Sequence, residues 1–239
     1  IDGYIIPKND EFFSEYSAND RLKTISNFSG SAGYSIILKK KNYLFVDGRY
    51  TIQAKKEAGK NFQVIDLHKI INCNLLKNLS IGFDPKLFTS TQIKRFFFKN
   101  NKAKSIESNL IDQIHKDKVK SSKPFFSLKN KIVGEDYKSK IMKIRKYLTK
   151  NKSDYLFITA PENVAWLLNI RGHDNPNSPI PNCHLIIDNK NSFYLITYKN
   201  KVSKLITEKK LKSNQIIEPK NFNKFIINLK GKKIIIDKN

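Results

Sequence analysis

Asp47-Gly48-Arg49-Tyr50 lies between an apolar stretch over 43–46 (Tyr-Leu-Phe-Val) and an amphipathic helical pattern over 51–58. A guanidinium is a fixed cation with a directional fork of donors, suited to a carboxylate or a backbone carbonyl. It also stands at a helix N-terminus, where the helix dipole disfavours positive charge. A local rule broken without structural gain marks a place to look for function. Arg49 is therefore the first candidate, against the alternative of a structural ion pair with Asp47 or another acidic neighbour. Asp47 either caps the helix or orients Arg49, with capping the favoured role.

Other common chemistries have no sequence support. There is no P-loop, no GxGxxG among the nine glycines and no GxSxG elbow. Ser29-Gly30-Ser31-Ala32-Gly33 falls between a helix and a strand. That is an α-to-β turn, not the strand-to-helix turn whose N-terminus cradles an anion. His68, His115, His173 and His184 include no pair at helical metal-ligand spacing, and HExxH is missing. His173 and Asp174 are adjacent, so they cannot face one metal from a regular element. Glu15 reads as a solvated carboxylate on an exposed turn.

The elements that must position Arg49 follow from periodicity. Strands are expected over 4–6, 34–38, 43–46, 62–65 and 81–84, with helices over 19–28 (Asn19 as N-cap), 51–58 and 91–98. Residues 117–130, lysine-rich with Pro124 and no sustained period, read as a linker. Beyond it come a helix marked by Tyr137, Ile141, Ile144 and Leu148, and a strand over 155–158. An apolar helix over 162–170 and strands over 184–187, 193–196 and 215–217 follow. A helix over 221–229 and a strand over 233–237 complete the chain. The order helix, Asn-Phe-Ser-Gly, strand, Lys-Asn, strand recurs as helix, Asn-Ile-Arg-Gly, loop, strand, Lys-Asn, strand. Two copies of one α/β unit explain this echo. The second copy has Thr197-Tyr198-Lys199-Asn200 where the first has Asp47-Gly48-Arg49-Tyr50, so the copies diverge at the candidate turn. Ending an α/β alternation on a strand reads as a truncation.

Composition sets the class. The 239 residues carry a formal charge of +24, and the mean hydropathy is -0.50. Of 45 basic residues only five are arginine, which leaves 40 lysines scattered along the whole length with many Asn and Ile. Compositional bias accounts for that pattern better than a nucleic-acid or other polyanion partner, which would favour clustered, bidentate arginine. No apolar run is long enough for a membrane span, and no export signal is seen. Cys73 and Cys183 read as reduced thiols of a cytoplasmic protein.

Several phrases together resemble the N-terminal part of the Xaa-Pro aminopeptidases (aminopeptidase P). They are SEY at 14–16, FSGSAGYSIIL at 28–38, VDGRYTIQA at 46–54, GFDP at 82–85, NLIDQI at 109–114, KPFFSL at 123–128 and VAWLLNIRGHD at 164–174. They occur in family order and run through the whole chain. The resemblance implies two tandem creatinase-type α/β domains, 1–120 and 131–239, each a mixed sheet flanked by helices. It also implies a C-terminal "pita-bread" catalytic domain that this chain lacks. In such enzymes two divalent metals, usually manganese, are held in that last domain, so this chain is expected to bind none and to be inactive alone. The implied substrates are peptides with proline in second position. The implied partners are the chain's own catalytic domain and, in addition, a second copy in a homodimer. The arginine of the D-G-R-Y phrase contacts substrate in the family, and that role transfers to Arg49, with Asp47 and Tyr50 as lesser substrate-binding candidates.

Two departures stand out. Arg171-Gly172-His173-Asp174 replaces the usual R-G-S-D. His173 would touch substrate or metal-bound water if its loop faces the cleft, and is otherwise a tolerated surface change. His115, where relatives often carry tryptophan, reads as a packing substitution. The rival to the aminopeptidase reading is a stand-alone module that binds peptides or polyanions without catalysis.

Overall fold

The computed structural model describes residues 1–14, 16–70, 76–97, 101–115 and 123–237. Cys73, Glu15 and 117–122 of the expected linker therefore lie outside the described residues. The chain divides into two compact units, Ile1–Val119 and Lys120–Lys238. Among the described residues no helix is long and apolar enough to cross a membrane.

Unit 1 is built on a six-stranded sheet in the order β4-β3-β2-β1-β5-β6. Its strands are β1 (Gly3–Pro7), β2 (Gly33–Leu38), β3 (Asn42–Val46), β4 (Gln63–Asp66), β5 (Ser80–Phe83) and β6 (Lys102–Ser105). β2 runs antiparallel to both β1 and β3, while β4 is parallel to β3, β5 to β1 and β6 to β5. All strands but β2 therefore point the same way, and their carboxyl ends share one edge. Ligand-binding loops of open α/β sheets collect at that edge. Alternation along the strands buries Ile5, Ile36, Tyr43 and Phe45 on one face and Leu44 and Val46 on the other. The second face is covered by α1 (Arg21–Ser26) and α2 (Thr51–Ala58). The first receives Phe88, Ile93 and Phe96, the last two from α3 (Ser90–Phe97). α4 (Leu110–Ile114) packs Ile111 on Tyr4 and Ile6.

α1 begins later than the apolar spacing suggests. Asp20, not Asn19, is its N-cap, accepting from the backbone N–H of Lys23 at 2.9 Å. Asn27 ends it in the left-handed region at φ 60°. Phe28 then turns into the core instead of extending the helix, and it is fully buried. Its ring explains the glycine beside it: a Cβ on Gly30 would lie 2.2 Å from Phe28 Cζ and 3.0 Å from Tyr50 Cδ1. β6 has no apolar signature because Lys102-Ala103-Lys104-Ser105 is a fully exposed edge. Lysines on an edge strand discourage pairing with other chains.

Unit 2 repeats the topology. Its sheet runs β12-β11-β10-β8-β13, formed by β8 (Tyr155–Ile158), β10 (His184–Asp188), β11 (Phe193–Ile196), β12 (Ile216–Ile217) and β13 (Ile234–Ile236). The pairings β8/β10 and β10/β11 are antiparallel, and β11/β12 and β8/β13 are parallel. These match β1/β2, β2/β3, β3/β4 and β1/β5 in sense and order, so the echo in sequence is a repeat in structure. α6 (Tyr137–Lys150) and α7 (Pro161–Leu168) cover the face that presents Leu185, Ile187 and Leu195. α9 (Phe222–Ile227) covers the opposite face, on Ile186, Ile196 and Ile217.

Residues 123–130 are not a linker. Phe125 is fully buried in the core of unit 2, and β7 (Phe126–Ser127) pairs antiparallel with β9 (Ile170–Arg171). A strand of two residues is too short to show a period, which is why its sequence reads as a connection. Next to it Lys201 and Asp174 form an ion pair whose side chains are 10% and 7% exposed. Asp174 also accepts from the backbone N–H of Asn182 at 2.8 Å. Cys183 is buried nearby, and burial pushes its thiol up.

Two substitutions test this packing. Lys201→Met leaves Asp174 charged and desolvated, and should cost about 3–5 kcal/mol in urea unfolding of unit 2. Adding Asp174→Asn should recover part of that loss, and no recovery would show that the cost lies elsewhere. Gly30→Ala should cost about 1–3 kcal/mol in unit 1, because the ring of Phe28 has no space into which to move. A midpoint unchanged by Gly30→Ala would refute the tight seat.

Candidate functional site

The candidate turn sits where β3 leaves the sheet at the carboxyl-end edge. Val46 is fully buried, and the chain then surfaces at Asp47 and forms a single 3-10 turn, Gly48–Tyr50, before α2 starts at Thr51. Arg49 thus lies just outside the α-helix proper, two residues before its start and immediately before its N-cap Tyr50. Asp47 caps this short turn: its Oδ1 accepts from the backbone N–H of Arg49 at 3.0 Å. The same oxygen accepts from Arg49 Nε at 2.8 Å, and Oδ2 lies 3.5 Å from the Nη2 donor. Capping and pairing, alternatives from sequence, coexist in one carboxylate. The hydrogen bond from the Arg49 side chain, then the one from its backbone, holds the Asp47 carboxyl below its ordinary range, with His68 adding a smaller effect.

Tyr50 is fixed from several sides. Its hydroxyl lies 2.9 Å from Ser31 Oγ, and its ring meets Phe28 edge-on at 5.8 Å between centroids. The Arg49 guanidinium carbon stands 5.4 Å from the same ring's centroid. Ser29 is tied to α2 through Glu57, which accepts from its backbone N–H at 2.7 Å and its hydroxyl at 2.8 Å. Gln53 donates to Ser29 Oγ at 2.9 Å and to Glu57 at 3.0 Å. The serines of the Ser29–Gly33 turn are thus engaged in holding the loop on α2, with no histidine among these partners. Arg49 itself stays 73% exposed at its side chain.

His68 is the histidine that the fold brings to this turn. It lies in the 3-10 turn Leu67–Lys69 after β4, where Asp66 caps it through the His68 N–H at 2.8 Å. Register pairs Val46 with Asp66, which brings this turn beside Asp47. No local pattern marks His68, because its position depends on parallel pairing of strands distant in sequence.

Asp47, Arg49 and Tyr50 share one turn of unit 1, whereas His173 belongs to unit 2. Its exposed ring stacks at a tilt on Phe126, 5.3 Å between centroids. The phrase around it is mainly architectural. Arg171 Nη1 donates to the carbonyls of Ile170 at 2.8 Å and Ala165 at 3.2 Å. Asn169 ends α7 at φ 53°, and buried Lys140 donates to Asn169 Oδ1 and to the Trp166 carbonyl, both at 2.7 Å. Cations on the last carbonyls of a helix also suit its dipole. Gly172 is required by packing, since a Cβ there would lie 2.8 Å from Pro181 Cα.

Among the described residues no group of three or more His, Cys, Asp or Glu could hold a metal ion. A dinuclear centre therefore does not fit the side chains seen here. Unit 2 has a groove of about 390 Å³ lined by residues that include Ile144, Phe157, Trp166 and Ile235. It is largely apolar and offers no acid–base pair.

Two family models of the creatinase/prolidase N-terminal domain match the chain, one over residues 1–114 and the other over 115–239. A probable Xaa-Pro aminopeptidase P of Coprinopsis cinerea is 31% identical over 200 residues, covering 75% of this chain and 32% of the relative. Aminopeptidase P1 of Lotus japonicus is 32% identical over 216 residues, covering 85% of this chain and 33% of the relative. The chain thus spans about a third of the length of these curated relatives. Among solved structures, the X-prolyl aminopeptidase of Caenorhabditis elegans superposes with a TM-score of 0.84 at 25% identity, over 95% of this chain and 40% of that one. It is described as a cytosolic enzyme with a di-nuclear active site. The chain belongs to the creatinase/prolidase N-terminal domain family, as two such domains in tandem of the kind found in Xaa-Pro aminopeptidases P.

Proposed function

We propose that this chain is the non-catalytic N-terminal region of a metal-dependent Xaa-Pro aminopeptidase that releases the first residue from peptides with proline in second position. The observation that carries this is the agreement of both domain matches with relatives of that activity, each about three times the matched length. The two divalent ions, manganese by family resemblance, would belong to a C-terminal domain outside this chain. When bound there they would supply Lewis acidity. Cytosolic placement is supported by the description of the nematode relative.

Arg49 would serve as a substrate contact. It extends from the carboxyl-end edge of its sheet, is held by Asp47 and backed by Tyr50, and yet keeps most of its side chain in solvent. An exposed ion pair of this kind contributes little to stability, so fold maintenance is a weak reason for an arginine here. Asp47 and Tyr50 would act through Arg49 by fixing its direction.

The purified 239-residue chain supplied with manganese should not hydrolyse Xaa-Pro peptides, and turnover would overturn the assignment of catalysis to another domain. In the full-length protein, Arg49→Ala should lower kcat/KM about tenfold or more with no shift in melting temperature. Unchanged kinetics would reduce Arg49 to a surface residue.

A further inference from the structure

A single carboxylate organises the candidate turn. Asp47 takes the backbone N–H of Arg49, its Nε–H and the edge of its Nη2, while the Tyr50 ring backs the guanidinium. The guanidinium is therefore not presented as an isolated cation. The Asp47 carboxylate opposes its charge at close range, in a turn that Phe28 and Ser31 fix through Tyr50.

We infer that Asp47 is a positioning and specificity residue, which makes Arg49 accept a neutral peptide carbonyl in preference to a free carboxylate. This rests on the substrate-contact role proposed for Arg49. A carboxylate approaching the guanidinium also meets the negative charge of Asp47 a few ångströms further on, and repulsion offsets much of the attraction. A backbone carbonyl carries no net charge. It takes an N–H from Arg49 without that opposition and gains from the fixed direction of the donor. A peptide that continues past the contact is thus favoured over one whose chain ends there. Discrimination by a built-in repulsive group is a general route to specificity.

The experiment compares C-terminal acid and amide forms of Xaa-Pro peptides of two, three and four residues, using the full-length enzyme. Asp47→Asn keeps an oxygen able to cap the turn and to accept from Arg49 Nε, and removes the charge together with the weak 3.5 Å contact to Nη2. At the length whose terminus reaches Arg49, it should raise the acid-to-amide ratio of kcat/KM about fivefold, through KM. Arg49→Ala in the same series separates the two levels of inference. If it leaves every peptide unaffected, the substrate-contact role itself fails. If it impairs turnover while Asp47→Asn moves no ratio at any length, Arg49 stands and the role given to Asp47 is overturned. A loss by Asp47→Asn that is equal for acids and amides, with a lowered melting temperature, would likewise reduce Asp47 to a cap.

Discussion

Tyr50 can lie edge-on to Phe28 because Gly30 places no Cβ between the loop and the two rings. The candidate turn depends on that contact. Phe28 is fixed in the core by burial, Tyr50 is fixed by Phe28 and by Ser31, and Arg49 is backed by Tyr50. Buried aromatic packing beneath thus gives an exposed cation a defined direction. The Ser29, Gln53 and Glu57 network clamps the same loop to α2. Residues that look catalytic as a string of serines and glycines turn out to hold the loop close to the helix.

The duplicated topology sets two different ion pairs on one scaffold. Both sheets have the same strand order and the same parallel and antiparallel senses over five strands. At the turn after β3 the first unit sets an Asp–Arg pair on the surface. After β11 the second unit has Tyr198, and Lys201 turns inward to a buried ion pair with Asp174. The segment after the third strand of each repeat therefore carries an exposed ion pair in one copy and a buried one in the other. The Arg171–Asp174 phrase of the second unit follows the same logic, since Arg171, Gly172 and Asp174 are engaged in caps, packing and that pair.

The charge of +24 comes from basic residues, mostly lysine, distributed along the whole sequence. A few basic groups have structural work. Arg21 is buried between Asp112, at 2.8 Å, and Glu11, at 2.5 Å, and so joins α1 to α4. Lys140 and Lys210 close the end of α7, and burial lowers the pKa of each. These cations are engaged with carboxylates and carbonyls inside their own units.

The sequence by itself determined the family, the α/β class, the repeat and the turn that carries Arg49, because each is written in local periodicity or in contiguous phrases. Strands such as 43–46 show as short apolar runs, and Asp47 has the side chain of a cap. Tertiary structure decided what depends on distant pairing. Parallel pairing of β3 with β4 brought His68 beside Asp47. The core of unit 2 took Phe125 from a stretch that reads as a linker, and β9 gave Phe126 a partner too short to announce itself. The fold also showed that capping and orienting are one act of Asp47. A single carboxylate can reach both the backbone and the side chain two residues ahead only in a tight 3-10 turn, and no sequence pattern distinguishes that turn from the first turn of the helix behind it.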